Sequence, residues 1–179
     1  MIIEAVLLTG GASRRMGTDK ASLIVDGEPL GLRIANRLST RVERLTVLGR
    51  VPLPGYDFLE DAQEYAGPLK ALSRFRISAE FVFLASCDLV RFEAELVDEL
   101  RSVIGPHQAA IPVLDEREQP LCALYRASAF DHLADIERAG QSRMMAWVDA
   151  IDTLRIDSRQ LPHGAACANV NTRSDLESI

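Results

Sequence analysis

Ile2-Ile3-Glu4-Ala5-Val6-Leu7-Leu8-Thr9-Gly10-Gly11-Ala12-Ser13-Arg14-Arg15-Met16-Gly17-Thr18-Asp19-Lys20 is the stretch that decides the fold. A short apolar run stopped by a glycine pair reads as a strand at the centre of a sheet covered on both faces. Glycines directly after such a strand let the chain turn sharply and bring backbone N–H groups close to phosphate oxygens or a base edge. Arg14, Arg15 and Lys20 add positive charge to that loop. The spacing is not a P-loop, because Gly17 is followed by Thr18-Asp19-Lys20, and no GxGxxG occurs. With Glu4 inside it and a glycine pair ending it, the apolar run is too short for a signal peptide or a membrane span.

Working outward, Ser22 to Val25 reads as a short strand ending in the turn Asp26-Gly27. Leu30, Ile34 and Leu38 then mark one face of a helix beginning near Pro29. Arg44 to Leu48 is a further strand, a Gly/Pro loop covers residues 49–55, and an extended piece near Asp57 to Leu59 sets Asp61 just past its end. Gly67-Pro68-Leu69 looks like a helix entry with proline in the first turn, carried on by Leu72 and Phe75. Phe81 to Ala85 is a continuous apolar strand with Asp88 beyond it, followed by an amphipathic helix through Phe92, Leu96, Leu100 and Ile104. Ala109 to Leu114 and Leu121 to Tyr125 read as a hairpin around the charged turn 115–118. Helices near Phe130 to Ala134 and Met144 to Val148 lead to strand-like sequence at Asp149 to Ile156. Strands alternating with helices predict a three-layer α/β fold with a mainly parallel, partly mixed sheet, in one domain spanning 1–179.

The chain has 179 residues, of which 47% are hydrophobic and 26% charged, so neither disorder nor a fibrous class is expected. A net charge of −6 argues against a general binder of nucleic-acid backbone. Cys87, Cys122 and Cys167 are odd in number and widely spaced, which suggests neither a disulfide framework nor a zinc site and fits a reducing cytoplasm.

In open α/β sheets ligands bind outside the carboxyl ends of the strands, where Gly10-Gly11, Asp61 and Asp88 are all placed by this reading. A carboxylate at the end of an apolar strand is costly unless it is exposed at the edge or bound to a cation, although Asp88 also suits a turn or helix N-cap. Asn169-Val170-Asn171-Thr172 is either a turn before a last helix or a set of amide oxygens for a metal or substrate. Gly140-Gln141-Ser142-Arg143 puts a basic residue beside a glycine turn, suited to a phosphate or to helix capping. His107, His132 and His163 lack ligand spacing and read as surface or supporting groups, and Trp147 with Met144-Met145 reads as helix packing.

These elements in this order resemble the molybdenum cofactor guanylyltransferases, which belong to the Rossmann-like nucleotidyltransferases. The match runs through Leu8-Thr9-Gly10-Gly11, Ser13, Arg15-Met16-Gly17 and Asp19-Lys20, then Asp61 with Gly67-Pro68-Leu69, then Cys87-Asp88. It continues in Gln119-Pro120-Leu121, Ala123-Leu124-Tyr125, Asn169-Val170-Asn171-Thr172 and Asp175-Leu176. The resemblance implies Mg²⁺-dependent transfer of GMP from GTP to the terminal phosphate of Mo-molybdopterin, releasing pyrophosphate. By position it implies that Leu8, Thr9, Gly10, Gly11 and Lys20 contact GTP, with Asp61, Gly67, Pro68 and Leu69 on the nucleoside. Asp88 would bind both nucleotide and metal, with Asn171 as a second ligand, and Lys20, Arg15 and Asp88 would carry catalysis. Arg143 and Asn169 would face the acceptor. The implied partners are the two substrates and the proteins that deliver molybdopterin and receive the finished cofactor, with no nucleic acid and no membrane.

Three positions depart from the pattern: Leu89-Val90 follows Asp88 where proline is usual, Arg173 follows Asn-x-Asn-Thr where proline is usual, and Leu48 stands where asparagine often contacts nucleotide. They leave a sister transferase using CTP or another phosphorylated acceptor as an alternative. A catalytically silent nucleotide-binding regulator is the alternative from another class.

Overall fold

The structure is a computed structural model that describes residues 2–9, 20–61 and 67–169. Its axis is β1 (Ile3–Leu8), with all six residues buried. β1 pairs in parallel with β4 (Arg44–Gly49) on one side and β6 (Phe81–Ser86) on the other. β5 (Asp57–Glu60) extends the sheet in parallel beyond β4 and forms one edge. Two short strands, β2 (Ile24–Val25) and β3 (Glu28–Pro29), form a separate antiparallel ribbon through the turn at Asp26-Gly27.

The other half is mixed. β9 (Cys122–Arg126) runs antiparallel to β6 and to β7 (Ala109–Leu114), so β7 and its parallel neighbour β10 (Thr153–Asp157) point the same way as β1. The order across the sheet is β10-β7-β9-β6-β1-β4-β5. The hairpin expected between Ala109–Leu114 and Leu121–Tyr125 is subdivided. β7 turns through Asp115-Glu116 into β8 (Arg117–Glu118), which pairs with Val113 and Leu114, while β9 keeps only Ala109 and Ala110 of β7. The physical reason is the turn: Asp115 and Glu116 both have positive φ, 48° and 61°, the geometry of a two-residue type I′ hairpin.

Period-2 alternation along the strands sends side chains to two apolar layers. Ile3, Ala5 and Leu7 face α1 (Leu30–Leu38) and α3 (Glu95–Val103), while Val6 and Leu8 face α2 (Pro68–Leu72), α4 (Leu133–Arg138) and α5 (Met144–Val148). This is the three-layer α/β architecture read from the sequence. In the second layer Trp147 is fully buried, stacks on Tyr125 at 4.6 Å and donates its Nε1–H to the Ala129 carbonyl at 2.9 Å. At the amino-terminal edge the buried Glu4 accepts hydrogen bonds from Arg44, from the Ser78 hydroxyl and from the Ser78 N–H, so this charge is compensated.

Candidate active site

The carboxyl ends of β1, β4 and β6 are tied together by backbone hydrogen bonds. Cys87 N–H donates to the Leu8 carbonyl at 3.1 Å, Thr9 N–H to Leu48 at 3.0 Å, and Asp61 N–H to Gly49 at 2.9 Å. Thr9, only 2% exposed, also donates its hydroxyl to the Val51 carbonyl at 3.0 Å, which ties the start of the glycine loop to the loop after β4. Three chain segments far apart in sequence thus end in one row, which parallel pairing makes inevitable once each strand is assigned its direction.

Lys20 enters that row from a 3-10 turn, Lys20–Ser22, and its Nζ lies 3.2 Å from Asp88 Oδ2, with both side chains 18% exposed. The other carboxylate oxygen, Oδ1, accepts the hydroxyl of Ser86. Asp88 is therefore aimed by two donors, one of them cationic, in a partly dehydrated place where charge-assisted hydrogen bonds are strong. Sequence reasoning missed Ser86. Its signal was available: a hydroxyl residue closing the apolar run Phe81–Ala85, two positions before Asp88.

Asp61 follows β5 with Oδ1 buried and, among the described residues, without a hydrogen-bond partner. Burial raises its pKa, with the charges of Arg74 and Arg50 working in the opposite direction. Gly67, at φ 87°, precedes α2 with Pro68 in the first turn, and Leu69 is packed in the second core layer. Leu69 thus serves the core with its side chain, and Gly67-Pro68 form the helix entry read from the sequence. A Cβ at Gly67 would stand 3.6 Å from the Ser142 carbonyl, so the 140–143 turn lies alongside this entry. Arg143, exposed and N-terminal to α5, is carried by that turn and makes no side-chain cap. Asn169 is exposed. Gly10, Gly11, Arg15 and Asn171 lie outside the described residues.

Two departures from the family pattern have a packing explanation. Leu89 and Val90 are 1% and 4% exposed and fill the layer beneath α1 and α3. Leu48 is 1% exposed in the opposite layer with Val6, Leu8 and Leu69. At Leu48, Leu89 and Val90 the side chain therefore serves the core.

Residues 5–154 match the family model described as a MobA-like NTP transferase domain. A protein named probable molybdenum cofactor guanylyltransferase from Mycobacterium marinum is 33% identical over 186 residues, covering 97% of this chain and 91% of that protein. A Nostoc protein of the same name is 30% identical, covering 99% of this chain and 90% of its own length. Among solved structures, molybdopterin-guanine dinucleotide biosynthesis protein A from Archaeoglobus fulgidus superposes with a TM-score of 0.80 at 19% identity, covering 98% of this chain and 95% of that one. This likeness bears on the fold alone. The parallel sheet edge carrying Thr9, Lys20, Asp61 and Asp88, together with these relatives, places the chain in the MobA-like NTP transferase family, as a nucleotidyltransferase of the molybdenum cofactor guanylyltransferase kind.

Proposed function

We propose that this site transfers GMP from GTP to the terminal phosphate of Mo-molybdopterin, with pyrophosphate as the second product, in a single domain working in the cytoplasm. The observation that carries the reading is the Lys20–Asp88 contact at the sheet edge, made across 68 residues of sequence. Among the described residues no helix is long and apolar enough to cross a membrane.

A phosphate monoester is already an anionic nucleophile at neutral pH, so the reaction asks for no strong general base. Its oxygen attacks the α-phosphorus of GTP, the α–β bridging bond breaks, and pyrophosphate leaves with the electron pair. The barrier lies in bringing two polyanions together and in charge growing on the α-phosphate and leaving group. Lys20 supplies a cation there, and Arg15 and the N–H groups of the glycine loop would add to it by their place in the sequence. Asp61 offers a dehydrated oxygen to an N–H or O–H of the nucleoside, while Gly67 and Pro68 keep the neighbouring backbone close.

The family implies a divalent cation, and the donor set suits one. Asp88 already holds a positive charge at Oδ2 in the ammonium of Lys20, so the carboxylate is built to face a cation. Mg²⁺ is commonly held by one or two carboxylates plus substrate phosphates, so Asp88 would hold it together with the phosphates, with Asn171 as a second ligand. When bound, the ion would neutralise phosphate charge at the reacting centre.

A folded Lys20→Ala variant should lose about 100-fold or more in kcat with its circular dichroism spectrum and Tm nearly unchanged. The assay is Mg²⁺-dependent pyrophosphate release with GTP and Mo-molybdopterin. Full transfer by this variant removes Lys20 from the mechanism. Transfer supported by CTP alone moves the chain to the sister reaction, and tight GTP binding without product in active acceptor preparations makes it a regulator.

A further inference from the structure

A second concavity opens on the same sheet edge, away from the Lys20–Asp88 pair. It has a volume of about 340 Å³ and is lined by Val113 and Leu114 of β7, the turn Asp115-Glu116, and Asp157, Ser158 and Arg159 after β10. Its size falls in the range of small-molecule sites, and it mixes an apolar wall with carboxylates and one guanidinium.

Register fixes where it stands relative to Asp88. Phe83 is paired with Leu124, and Leu124 with Ala110, so three residues further along Val113 comes level with Ser86. Val113 is in turn paired with Asp157. With strands spaced by roughly 4.8 Å, Val113 and Asp157 lie on the order of 10 and 14 Å from Ser86. The nucleoside residues Asp61 and Gly67 belong to the β4–β5 side of Asp88, whereas the cavity belongs to the β7–β10 side. A nucleotide on the first side and a second substrate on the other would meet at Asp88.

We propose that the cavity between the Asp115-Glu116 turn and Asp157–Arg159 binds the fused-ring heterocycle of the acceptor, an amino-pyrimidinone ring system rich in N–H donors, while its phosphate reaches Asp88. This rests on the guanylyl-transfer reading for the identity of the acceptor. The recognition chemistry is local. Asp157 accepts the Arg159 N–H and Nε–H, each at 2.9 Å, and the guanidinium contacts both carboxylate oxygens from a side chain that is 87% exposed, which leaves its flat face open. A planar guanidinium stacks on flat heterocycles. Asp115 and Glu116, exposed on the opposite wall, supply acceptors for exocyclic amine and ring N–H groups. Val113 and Leu114 end β7 with side chains on opposite faces, so the ring meets one apolar side chain and the strand backbone beside it.

The turn permits a clean test. Asn-Gly is the residue pair most favoured where both φ values are positive, so the double variant Asp115→Asn/Glu116→Gly removes both carboxylates while relaxing the hairpin. Free pterin, titrated into the full chain and followed through backbone amide shifts, should perturb residues 113–116 and 157–159. In the double variant its affinity should fall about tenfold or more with Tm unchanged or raised. Arg159→Lys should weaken pterin binding while keeping the charge. In turnover the double variant should raise the acceptor KM about tenfold and leave the GTP KM and kcat nearly unchanged. No pterin binding at this cavity in the parent chain, or equal binding in the double variant, overturns the assignment. GMP transfer with an unaltered acceptor KM in that variant overturns it too, and leaves the guanylyl reading standing. Pterin bound here by a chain that transfers no GMP supports the cavity and overturns the reaction instead.

Discussion

At the residue scale the site holds one group at odds with folding. Asp61 Oδ1 is buried without a partner among the described residues, and burial raises the pKa of its carboxyl. A carboxyl whose folded pKa lies above its unfolded value favours the fold fully only below the unfolded value, and loses that contribution as pH rises through the folded one. At neutral pH the ionised Asp61 is therefore a net cost, which a nucleotide donor would relieve. Asp61→Asn should raise the Tm of the nucleotide-free chain at pH 7, and thermal melts should show the advantage shrinking as the solution is acidified. The same variant should bind GTP about tenfold more weakly, measured by calorimetry, because a charge-assisted acceptor has become a neutral amide. A variant less stable than its parent at every pH would show that Asp61 is satisfied without ligand. Ser86 and Thr9 belong to the same scale. Each is a small hydroxyl residue whose role comes from one partner, Asp88 or the Val51 carbonyl, that sequence spacing does not reveal.

At the element scale the segment after β10 decides how the carboxyl end of the chain is held. Residues Ser158–Gln160 and Gly164–Cys167 form 3-10 turns packed on one another, and a Cβ on Gly164 would fall 1.9 Å from the Ser158 carbonyl oxygen. That neighbour is backbone and cannot rotate away, so Gly164→Ala should cost about 1–3 kcal/mol, read as a lower urea midpoint at unchanged m-value. Between the two turns His163 clasps α3. Its N–H donates to Glu99 Oε2 at 3.1 Å and its ring pairs with the other Glu99 oxygen. That hydrogen bond raises the His163 pKa against desolvation, with the charges of Glu99, Glu95 and Glu93 adding to it. A histidine raised in this way contributes fully below its unfolded pKa, near 6.5, and its contribution is lost as pH rises through the folded value. Amide exchange of residues 161–167 should therefore speed up, beyond its intrinsic pH dependence, across the window above 6.5. His163→Gln should abolish that excess. An excess that survives the substitution would place the titrating group elsewhere.

At the scale of the whole molecule, the sequence by itself determined the layers and the edge at which the candidate site lies. The apolar runs Ile3–Leu8 and Phe81–Ala85, each ended by glycine or a polar residue, specify central parallel strands, and parallel strands bring their carboxyl ends to one edge. The place of Asp61 and Asp88 at that edge was legible for that reason, and the helices of both faces followed from 3.6-residue spacing. Pairing partners were not legible. The division of the 109–125 hairpin into β7, β8 and β9 depends on two positive-φ residues, Asp115 and Glu116, that are neither glycine nor asparagine, so the usual turn signature is missing. Strands predicted too long at Ser22 and Asp149 shortened to Ile24–Val25 and Thr153–Asp157, where neighbouring backbone supplies ladder partners. The burial of Leu48, Leu89 and Val90 could be assigned only once both core layers existed, because identity alone does not say which way a residue at a strand end will face. Local pattern fixes periodicity and strand direction, since these depend on adjacent residues. The Ser86–Asp88–Lys20 contact, the buried oxygen of Asp61 and the cavity beside Asp157 depend on which distant strands lie side by side, which tertiary packing alone decided.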